Sequence, residues 1–286
     1  MKTIVTHLNP DQDAVFSVWL IKRFFPGWAD ADVKFVPAGE TLNHLPPDEN
    51  PDIIHVDTGL GKFDHHHTGD KAVCAASLVL QYIKQHRFIR RNSVDEQALD
   101  RIIAIVLEVD HAQERSWPDP THDRYEFFLE SILDGLKSLP AKEKGDAKSQ
   151  AVISFGLTAF DGIYAIIKEK VAAESIIKTG VKFQSPWGQG IGLVTGNDTA
   201  HRLAERQGYA TVAVKDPQKG NVRIYAHPQS KEADLTFAHR EVARLDPNSD
   251  WFLHASKKML LNGSRANPKM RPTKLTLEEI IKILSK

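Results

Sequence analysis

The stretch from Val56 to His67 concentrates side chains that could do chemistry. It reads VDTGLGKFDHHH, so two aspartates and three consecutive histidines follow the short, mostly apolar run Ile53–Val56. Carboxylates and neutral imidazoles bind divalent metal ions through oxygen and nitrogen. Ionisable groups crowded in this way repel one another or must be desolvated, so packing alone does not account for the arrangement. The stretch therefore predicts part of a metal site.

A second group of candidate ligands lies near the N-terminus. His7 follows the β-prone segment Thr3–Thr6, and Asp11 and Asp13 come after an Asn-Pro turn. Taken alone, this His-x₃-Asp-x-Asp pattern is more typical of a helix-capping aspartate and a hydrogen-bonded histidine. Asp110 alone is typical of an acid at a helix end. The joint arrangement indicates a metal site whose candidate ligands are His7, Asp11, Asp13, Asp57, His65 and Asp110.

The composition of this ligand set limits the metal and the reaction. Carboxylates and histidines without thiolates favour Mn²⁺, Mg²⁺, Co²⁺ or Fe²⁺ over structural zinc. Several carboxylates in one site cannot all ionise cheaply unless cations neutralise them. Two divalent ions about 3.5–4 Å apart would do so, and such pairs hydrolyse phosphoesters. The ligand set therefore predicts a dinuclear site for phosphoester hydrolysis.

The elements before Asp57 explain how the two groups could meet. A strand at Thr3–Thr6, a helix at Ala14–Phe25 and strands at Val33–Pro37 and Ile53–Val56 form the pattern of a parallel, doubly wound sheet. Ligands gather at the carboxyl ends of the strands in such sheets. We therefore expect both groups to lie at the same edge of one sheet.

Helical patterns dominate the middle of the chain. We expect helices over Ala72–Phe88, Val94–Asp110 with Ser93 as N-cap, and Tyr125–Leu136. A charged segment, 140–148, precedes a long helical pattern from Ser149 to about Thr179, which we expect to bridge two domains.

The last hundred residues predict a smaller α/β unit. We expect strands near 181–183, 191–194, 209–214 and 222–225, and helices near 199–207, 235–245 and 277–284, the last of these capped by Thr276. The expected fold is thus α/β, with a doubly wound, mainly parallel sheet in an N-terminal domain (1–138), a linker helix region (139–180) and a C-terminal domain (181–286).

Charge and cysteine content bear on partners and location. The formal net charge of the 286 residues is zero, but residues 1–70 hold eleven acids against five Lys or Arg, and residues 255–274 hold six Lys or Arg and no acid. An acidic front and a basic tail suit a metal site facing an anion clamp, although ordinary charge fluctuation would also produce them. With one cysteine, Cys74, no internal disulfide is possible, which fits a cytoplasmic protein. We expect no membrane span.

The basic tail suggests phosphate binding by itself. Its cations surround the flexible segment Asn262–Ser264, where backbone amides could approach an anion. A solvated loop is the competing interpretation. Aromatic side chains for stacking bases are sparse here, so a short oligonucleotide or nucleotide would suffice as a ligand.

Four segments of the chain resemble the motifs of a known family. The segments THLNPDQDA at 6–14, Val56-Asp57, Asp64-His65-His66 and Val109-Asp110 are similar to the four motifs of the DHH phosphoesterase superfamily. The resemblance covers roughly residues 1–135. That superfamily includes manganese-dependent inorganic pyrophosphatases, single-strand exonucleases, short-oligonucleotide hydrolases and cyclic-dinucleotide phosphodiesterases. The resemblance implies two divalent ions, with Mn²⁺ first and Mg²⁺ or Co²⁺ as alternatives, and a C-terminal substrate domain.

The resemblance also implies a role for each residue. His7 and Asp11 would bind one ion, Asp13, His65 and Asp110 the other, and Asp57 would bridge both. His66 would donate to the phosphoryl oxygen or leaving group, and Asp64 would orient a histidine from behind. No role transfers to His67.

Departures from the family pattern narrow the comparison. The spacing from Asp57 to Asp64 is short for pyrophosphatases, and the glycine-rich signature of the usual associated domain is absent. The His254-Ala255-Ser256 element and the Asp-Thr-Gly after Val56 most resemble the melanocyte-proliferating-gene branch, whose members are exonuclease-like. By this resemblance, and from the basic tail, the expected substrate-binding residues are His254, Lys257, Lys258, Asn262 and Arg265.

The expected function is hydrolysis of nucleotidic phosphodiesters, in the manner of a short-oligonucleotide or RNA exonuclease, with attack by metal-bound hydroxide. A manganese-dependent inorganic pyrophosphatase and a non-catalytic nucleotide- or metal-binding protein are the alternatives. We expect the partner to be a phosphate-containing small substrate or a short single-stranded oligonucleotide. A homodimer is allowed.

Overall fold

The computed structural model describes residues 1–140, 146–264 and 266–286. The chain divides into two compact units, Met1–Lys168 and Glu169–Lys286. The division falls inside the long helix of the predicted linker region.

The sheet of the first unit has three strands, all parallel. β1 (Thr3–His7) is central, with β2 (Asp32–Val36) on one side and β3 (Ile53–His55) on the other. Ile4 pairs with Val33 and with Ile54, which keeps the apolar residues of the three strands in register. The carboxyl ends of β1 and β3 therefore lie side by side, and His7 is the last residue of β1.

The helices of the first unit agree with the sequence pattern to within a few residues, and local caps explain where they begin. Asp11 accepts a hydrogen bond from the Ala14 amide, and Ser93 accepts one from the Glu96 amide, each satisfying a free amide of a first turn. A 3-10 turn at Asp123–Phe127 replaces the start of the helix expected at Tyr125. The helices are α1 (Gln12–Phe24), α2 (Ala75–Gln85), α3 (Val94–Asp110), α4 (Leu129–Ser138) and α5 (Asp146–Lys178).

The first part of α5, within the predicted linker region 139–180, packs into the core of the first unit. Phe160 stacks on Phe16 of α1 with ring centroids 4.4 Å apart, and Tyr164 meets Trp19 edge-on at 5.2 Å. Later in the helix, Ala173 and Ile177 belong to a core cluster of the second unit. Among the described residues, α5 is also long and apolar enough to cross a membrane, contrary to expectation. Helices from soluble cores pass the same test, so this is weak evidence.

The second unit holds a six-stranded mixed sheet in the order β4-β5-β6-β7-β9-β8. Among the described residues of this unit, only β5 and β6 pair in parallel, and α6 connects them. The short strands β8 and β9 were not predicted; β9 lies within the basic tail and β8 just before it. The elements are β4 (Val181–Ser185), β5 (Gly188–Val194), α6 (Thr199–Arg206), β6 (Thr211–Lys215), β7 (Val222–Ala226), α7 (Thr236–Leu245), β8 (Phe252–Leu253), β9 (Met259–Leu261) and α8 (Leu277–Leu284).

The predicted fold class is confirmed: the chain is α/β, with a parallel sheet in the first unit and a second sheet in the other. The second unit is the smaller one, and its sheet is mostly antiparallel. α8 begins at Leu277 with Thr276 as its cap, and the side chain of Glu279 accepts a hydrogen bond from the Thr276 amide in return.

Candidate metal centre

The ends of β1 and β3 place His7 beside Asp57. His7 Nδ1 donates to the Leu8 carbonyl at 2.9 Å, which leaves Nε2 directed at Asp57 Oδ2, 3.2 Å away. Asp57 adopts a left-handed backbone conformation with φ of 54°, and its amide donates to the Phe63 carbonyl at 3.0 Å. Such a conformation is unfavourable for a residue with a side chain, so the surrounding turn must hold it. Asp57 is thereby turned toward the end of β1.

The first turn of α1 supplies two further carboxylates. Asp11 uses Oδ1 to cap the helix, and its Oδ2 lies 3.8 Å from His7 Nε2. Asp13 is buried and accepts hydrogen bonds from the amides of Ala75 and Ala76, at 2.7 and 2.9 Å. Those two amides are at the N-terminus of α2, where a carboxylate is favoured by the free N–H groups and the helix dipole. Asp13 therefore locks α2 against α1.

His65 joins these groups to α3. Its Nε2 lies 3.6 Å from Asp57 Oδ1, 3.7 Å from Asp110 Oδ2 and 3.9 Å from Asp13 Oδ2. Asp110 is the last residue of α3. Residues that are far apart in sequence, from strand ends and helix ends of one unit, thus converge around a single imidazole nitrogen.

Asp64 holds the second histidine of the motif. Its Oδ1 accepts from His66 Nδ1 at 2.7 Å and from the His66 amide at 3.0 Å, while Oδ2 accepts from the Leu60 amide at 2.7 Å. His66 Nδ1 therefore carries a proton, because a carboxylate oxygen can only accept. The His66 side chain is 59% exposed, so it is accessible to a substrate. His67 is exposed and has no assigned role.

Three buried atoms at the centre have no hydrogen-bond partner among the described residues: Asp57 Oδ1, His65 Nε2 and Asp110 Oδ2. Leaving polar atoms unsatisfied in this way is costly, and metal coordination is one way to satisfy them.

The spacing of the side chains also fits divalent ions. Ligand atoms of one ion with bonds of about 2.1 Å lie at most about 4.2 Å apart. The contacts of His7 Nε2 and His65 Nε2 with the neighbouring carboxylates meet this limit, since they range from 3.2 to 3.9 Å. Three overlapping groups bring one ligand atom from each member within 4.8 Å of the others. One contains His7, Asp11 and Asp57, and two are built around His65: with Asp57 and His66, and with Asp110 and His111. These groups could therefore hold divalent cations, and Asp57 belongs to two of the three.

Carboxylate crowding perturbs the acids of the centre. Burial, followed by the charge of Asp57, raises the pKa of Asp11. Burial and the charges of Asp57, Asp11 and Asp110 raise the pKa of Asp13 well above its usual range. Burial is also the main cause of the raised pKa of Asp110. In the absence of metal, these carboxyl groups therefore resist losing their protons, because each further negative charge would be repelled by its neighbours. Bound divalent cations would remove that repulsion.

The two histidines beside Asp57 carry the compensating protons. Burial opposes a charge on His7, but its hydrogen bond to Asp57 and the charges of Asp11 and Asp57 outweigh burial and raise its pKa to about 9. The interaction with Asp57 likewise raises the pKa of His65 to about 9 against the effect of burial. Burial would raise the pKa of Asp57, yet the two histidines lower it. At neutral pH an ionised Asp57 therefore lies between two imidazolium rings.

Sequence reasoning missed two residues that border the centre. His111 Nε2 lies 3.7 Å from Asp110 Oδ2 but also 3.0 Å from the Val73 carbonyl, to which it can only donate. Because Nε2 carries that proton, it cannot bind a metal in this conformation. The position of His111 directly after Asp110 was the only signal for it in the sequence. Glu130 of α4 accepts from the Gln12 amide at 3.1 Å, between two predicted ligands, and burial and the charge of Asp11 raise its pKa to about 7. No local pattern pointed to Glu130.

Most of the predicted substrate-binding residues in and next to the basic tail form hydrogen bonds or ion pairs within the second unit. Lys257 Nζ pairs with Asp234 at 2.9 Å, and Lys258 Nζ donates to the Ala233 carbonyl. His254 is exposed, and its Nδ1 lies 2.8 Å from the Ser256 hydroxyl. To bind a ligand through the same atoms, each of these three side chains would have to give up its present hydrogen-bond or ion-pair partner.

The expectation for Asn262 is wrong. Its side chain is fully buried, donates to the carbonyls of Asp250 and Arg271 at 2.6 and 2.8 Å, and accepts from the Thr273 amide. Both donor hydrogens are therefore used to tie the strand end at 262 to the segment near 271, which makes Asn262 a structural residue. Arg265 lies outside the described residues.

Comparisons with protein-family models and with curated proteins found no match. Among solved structures, the chain is similar to the crystal structure of RecJ in complex with Mg²⁺ from Thermus thermophilus. The identity is 14%, the match covers 99% of this chain and 49% of that one, and the TM-score is 0.31. The chain thus spans about half the length of that protein, and at this TM-score the chemistry of the centre has to rest on its own geometry.

Proposed function

We propose that this chain is a metal-dependent phosphoesterase of the DHH type that hydrolyses nucleotidic phosphodiesters, in the manner of a short-oligonucleotide or RNA exonuclease. The observation that supports this most directly is the group of buried, unpartnered ligand atoms around His65 Nε2. Phosphoester hydrolysis is the chemistry for which carboxylate-rich dinuclear sites are suited.

The proposed ligand roles are those implied by the DHH resemblance, and the contacts around His7 and His65 support them. His7 and Asp11 would hold one ion, His65, Asp13 and Asp110 the other, and Asp57 would hold both through its two oxygens, one near each histidine. Bound divalent cations, with Mn²⁺ preferred by the DHH resemblance and Mg²⁺ or Co²⁺ as alternatives, would supply Lewis acidity and activate water. His7 is already oriented for this task, because its Nδ1–H is held by the Leu8 carbonyl and its Nε2 is directed at the centre.

His66 is suited to move a proton at the leaving oxygen. Its Nδ1–H is anchored on Asp64, which fixes the orientation of the ring and leaves Nε2 as the nitrogen available to a substrate. Protonated at Nε2, it can donate to the leaving or phosphoryl oxygen of a phosphodiester; neutral, it can take a proton back. Asp64 in turn is fixed by the amides of Leu60 and His66, so the pair is rigid before substrate arrives.

The substrate would be a phosphate-containing small molecule or a short single-stranded oligonucleotide. His254, Lys257 and Lys258, together with Arg265, are the residues proposed to bind it, the two described lysines by leaving their present partners. We also propose a reducing, cytoplasmic setting, since Cys74 is the only cysteine and its buried thiol has a raised pKa. A homodimer is compatible with this proposal.

A substrate panel tests the proposal. Purified chain loaded with Mn²⁺ is incubated with pyrophosphate, cyclic dinucleotides, linear dinucleotides and short RNA, and released phosphate and nucleotides are quantified. Nucleotide release that is lost in Asp57→Asn and retained in His67→Gln is the expected result. Phosphate release from pyrophosphate alone would instead indicate an inorganic pyrophosphatase. Binding of nucleotide and metal without any hydrolysis would indicate a non-catalytic binding protein.

A further inference from the structure

The first unit carries a second concave surface, at the far end of α2 from the metal centre. Its volume is about 570 Å³. We call it the arginine groove, and its lining residues are Lys84, Gln85, Arg87, Ile89, Arg90, Arg91 and Glu96. The N-terminal amides of α2 hold Asp13, and the groove begins where the helix ends. A helix of this length spans about 16 Å, so the groove is separate from the metal centre.

The groove has an excess of positive charge. Lys84 is neutralised by ion pairs with Asp100 and, at 3.7 Å, with Glu96. The guanidinium groups of Arg87, Arg90 and Arg91 are exposed and make no hydrogen bond or ion pair with any residue that the structure describes. Three unpaired guanidinium groups within one loop repel one another, and an anion would relieve that repulsion.

The backbone of the loop is well anchored where it leaves α2. The Arg87 amide donates to the Lys84 carbonyl, and the Phe88 amide donates to the Ile83 carbonyl, the two hydrogen bonds of a Schellman motif. Phe88 packs against Phe25, with ring centroids 5.5 Å apart. The position after the cap is left-handed, with φ of 58°, and it is occupied by Arg87 where glycine is the residue best suited.

The other end of the loop is fixed by α3. The Asn92 amide donates to the Glu96 carboxylate, and Ser93 caps the helix through the Glu96 amide. The Ser93 amide donates to the Arg90 carbonyl at 3.3 Å. The arginines are therefore carried on a loop held at both ends, which reduces the ordering cost of binding a ligand.

We propose that the arginine groove binds the phosphodiester backbone of single-stranded nucleic acid. One guanidinium group can donate two parallel hydrogen bonds to the oxygens of one phosphate. The three arginines therefore offer separate phosphate contacts along one loop. The exposed ring of His86, stacked on Tyr82 with centroids 3.7 Å apart, offers an aromatic surface for a base beside these cations. This inference rests on the proposed function to the extent that the metal centre would act on the same class of molecule.

Binding is tested without cleavage, on the full chain in EDTA. Fluorescence anisotropy is measured with a labelled 20-nucleotide single strand and a labelled trinucleotide. Each phosphate contact contributes about 0.7 to the slope of log affinity against log salt. The variant Arg87→Gln/Arg90→Gln/Arg91→Gln is expected to bind the 20-mer at least tenfold more weakly at 50 mM salt and to lower the slope by about 2. The same charge change in Lys178→Gln/Lys182→Gln/Lys231→Gln is expected to leave affinity within twofold.

A second variant separates binding from folding. Arg87→Gly removes one contact but suits the left-handed position, so it is expected to raise the melting temperature while weakening 20-mer binding. Unchanged 20-mer affinity in the triple arginine variant would overturn the inference. Preferential binding of phosphatidylserine vesicles over the 20-mer would overturn it in favour of a membrane surface. Hydrolysis of a dinucleotide with Mn²⁺ tests the metal centre independently, because failure there with intact 20-mer binding contradicts only the proposed function.

Discussion

Binding of divalent metal at the candidate centre should displace protons from His7 and His65. Both imidazoles have a pKa of about 9 in the metal-free chain, so at pH 7 each is about 99% protonated. Ligating histidines must be neutral. Removing a proton two pH units below its pKa costs about 2.7 kcal/mol for each histidine. Because each ion would displace one histidine proton, the apparent affinity for each ion should rise up to about tenfold per pH unit between pH 7 and pH 9.

Calorimetry measures this directly. Titration of metal-free chain with Mn²⁺ at pH 7, in two non-coordinating buffers with different ionisation enthalpies, yields the number of protons released per protein molecule. We expect one to two from the histidines, plus any released by the carboxyl groups whose pKa values are raised. His7→Gln should release about one fewer, whereas His67→Gln, a change at an exposed histidine without a predicted ligand role, should release the same number as the parent chain. A proton count near zero, or an affinity that does not change from pH 7 to pH 9, would refute the reasoning.

The same protons should stabilise the metal-free fold. A histidine whose folded pKa is raised contributes stability that is fully present below the unfolded value of about 6.5. That contribution is lost as pH rises toward the folded value of about 9. The lowered pKa of Asp57 acts only under acidic conditions, and so does not oppose this trend. The melting temperature of the metal-free chain should therefore fall between pH 6.5 and pH 9, and saturating Mn²⁺ should reduce that fall.

Further substitutions probe the centre and the packing of α5. Asp57→Asn should retain at most one metal equivalent by elemental analysis and should lose hydrolysis, since both ions depend on this carboxylate; two equivalents with full turnover would contradict the assignment. His66→Asn should keep its metal content while kcat falls by about 10²–10⁴; an equal fall in bound metal would identify a ligand instead. Gly156→Ala would place a Cβ 2.4 Å from Val15 Cγ1 of α1, so overpacking of about 1–3 kcal/mol should outweigh the helix gain of about 1 kcal/mol in urea unfolding. Gly162→Ala, on the same helix with open space around it, should show the gain alone.

Protons and metals compete for the same places in the centre, and this explains why its charges are arranged as they are. Asp57 stays ionised because two imidazolium rings flank it, while Asp13 and Asp110 resist ionisation in its field. Replacing the protons with divalent cations would let all the carboxylates ionise together. The hydrogen bonds behind the ligands hold the side chains in place in either state: His7 donates to the Leu8 carbonyl, and amides of α2 donate to Asp13.

The sequence by itself determined the features that depend on near neighbours. The β-prone run before His7, the cap at Ser93 and the periodic helix ending at Asp110 follow from local backbone preferences, so their positions could be predicted to within a few residues. The ligand residues could be proposed because carboxylates and histidines at the ends of parallel strands share one edge of a sheet.

Only the tertiary structure decided what distant segments do to one another. It showed that Asp13 caps a helix more than sixty residues away, that Glu130 supports the turn between the ligands and that Asn262 is a buried tie. It also placed the first part of α5 in a core. It collected in one groove three arginines whose side chains have no partner among the described residues. These features depend on packing between segments that are remote in the chain, and no local preference encodes which partner a buried carboxylate or amide will find.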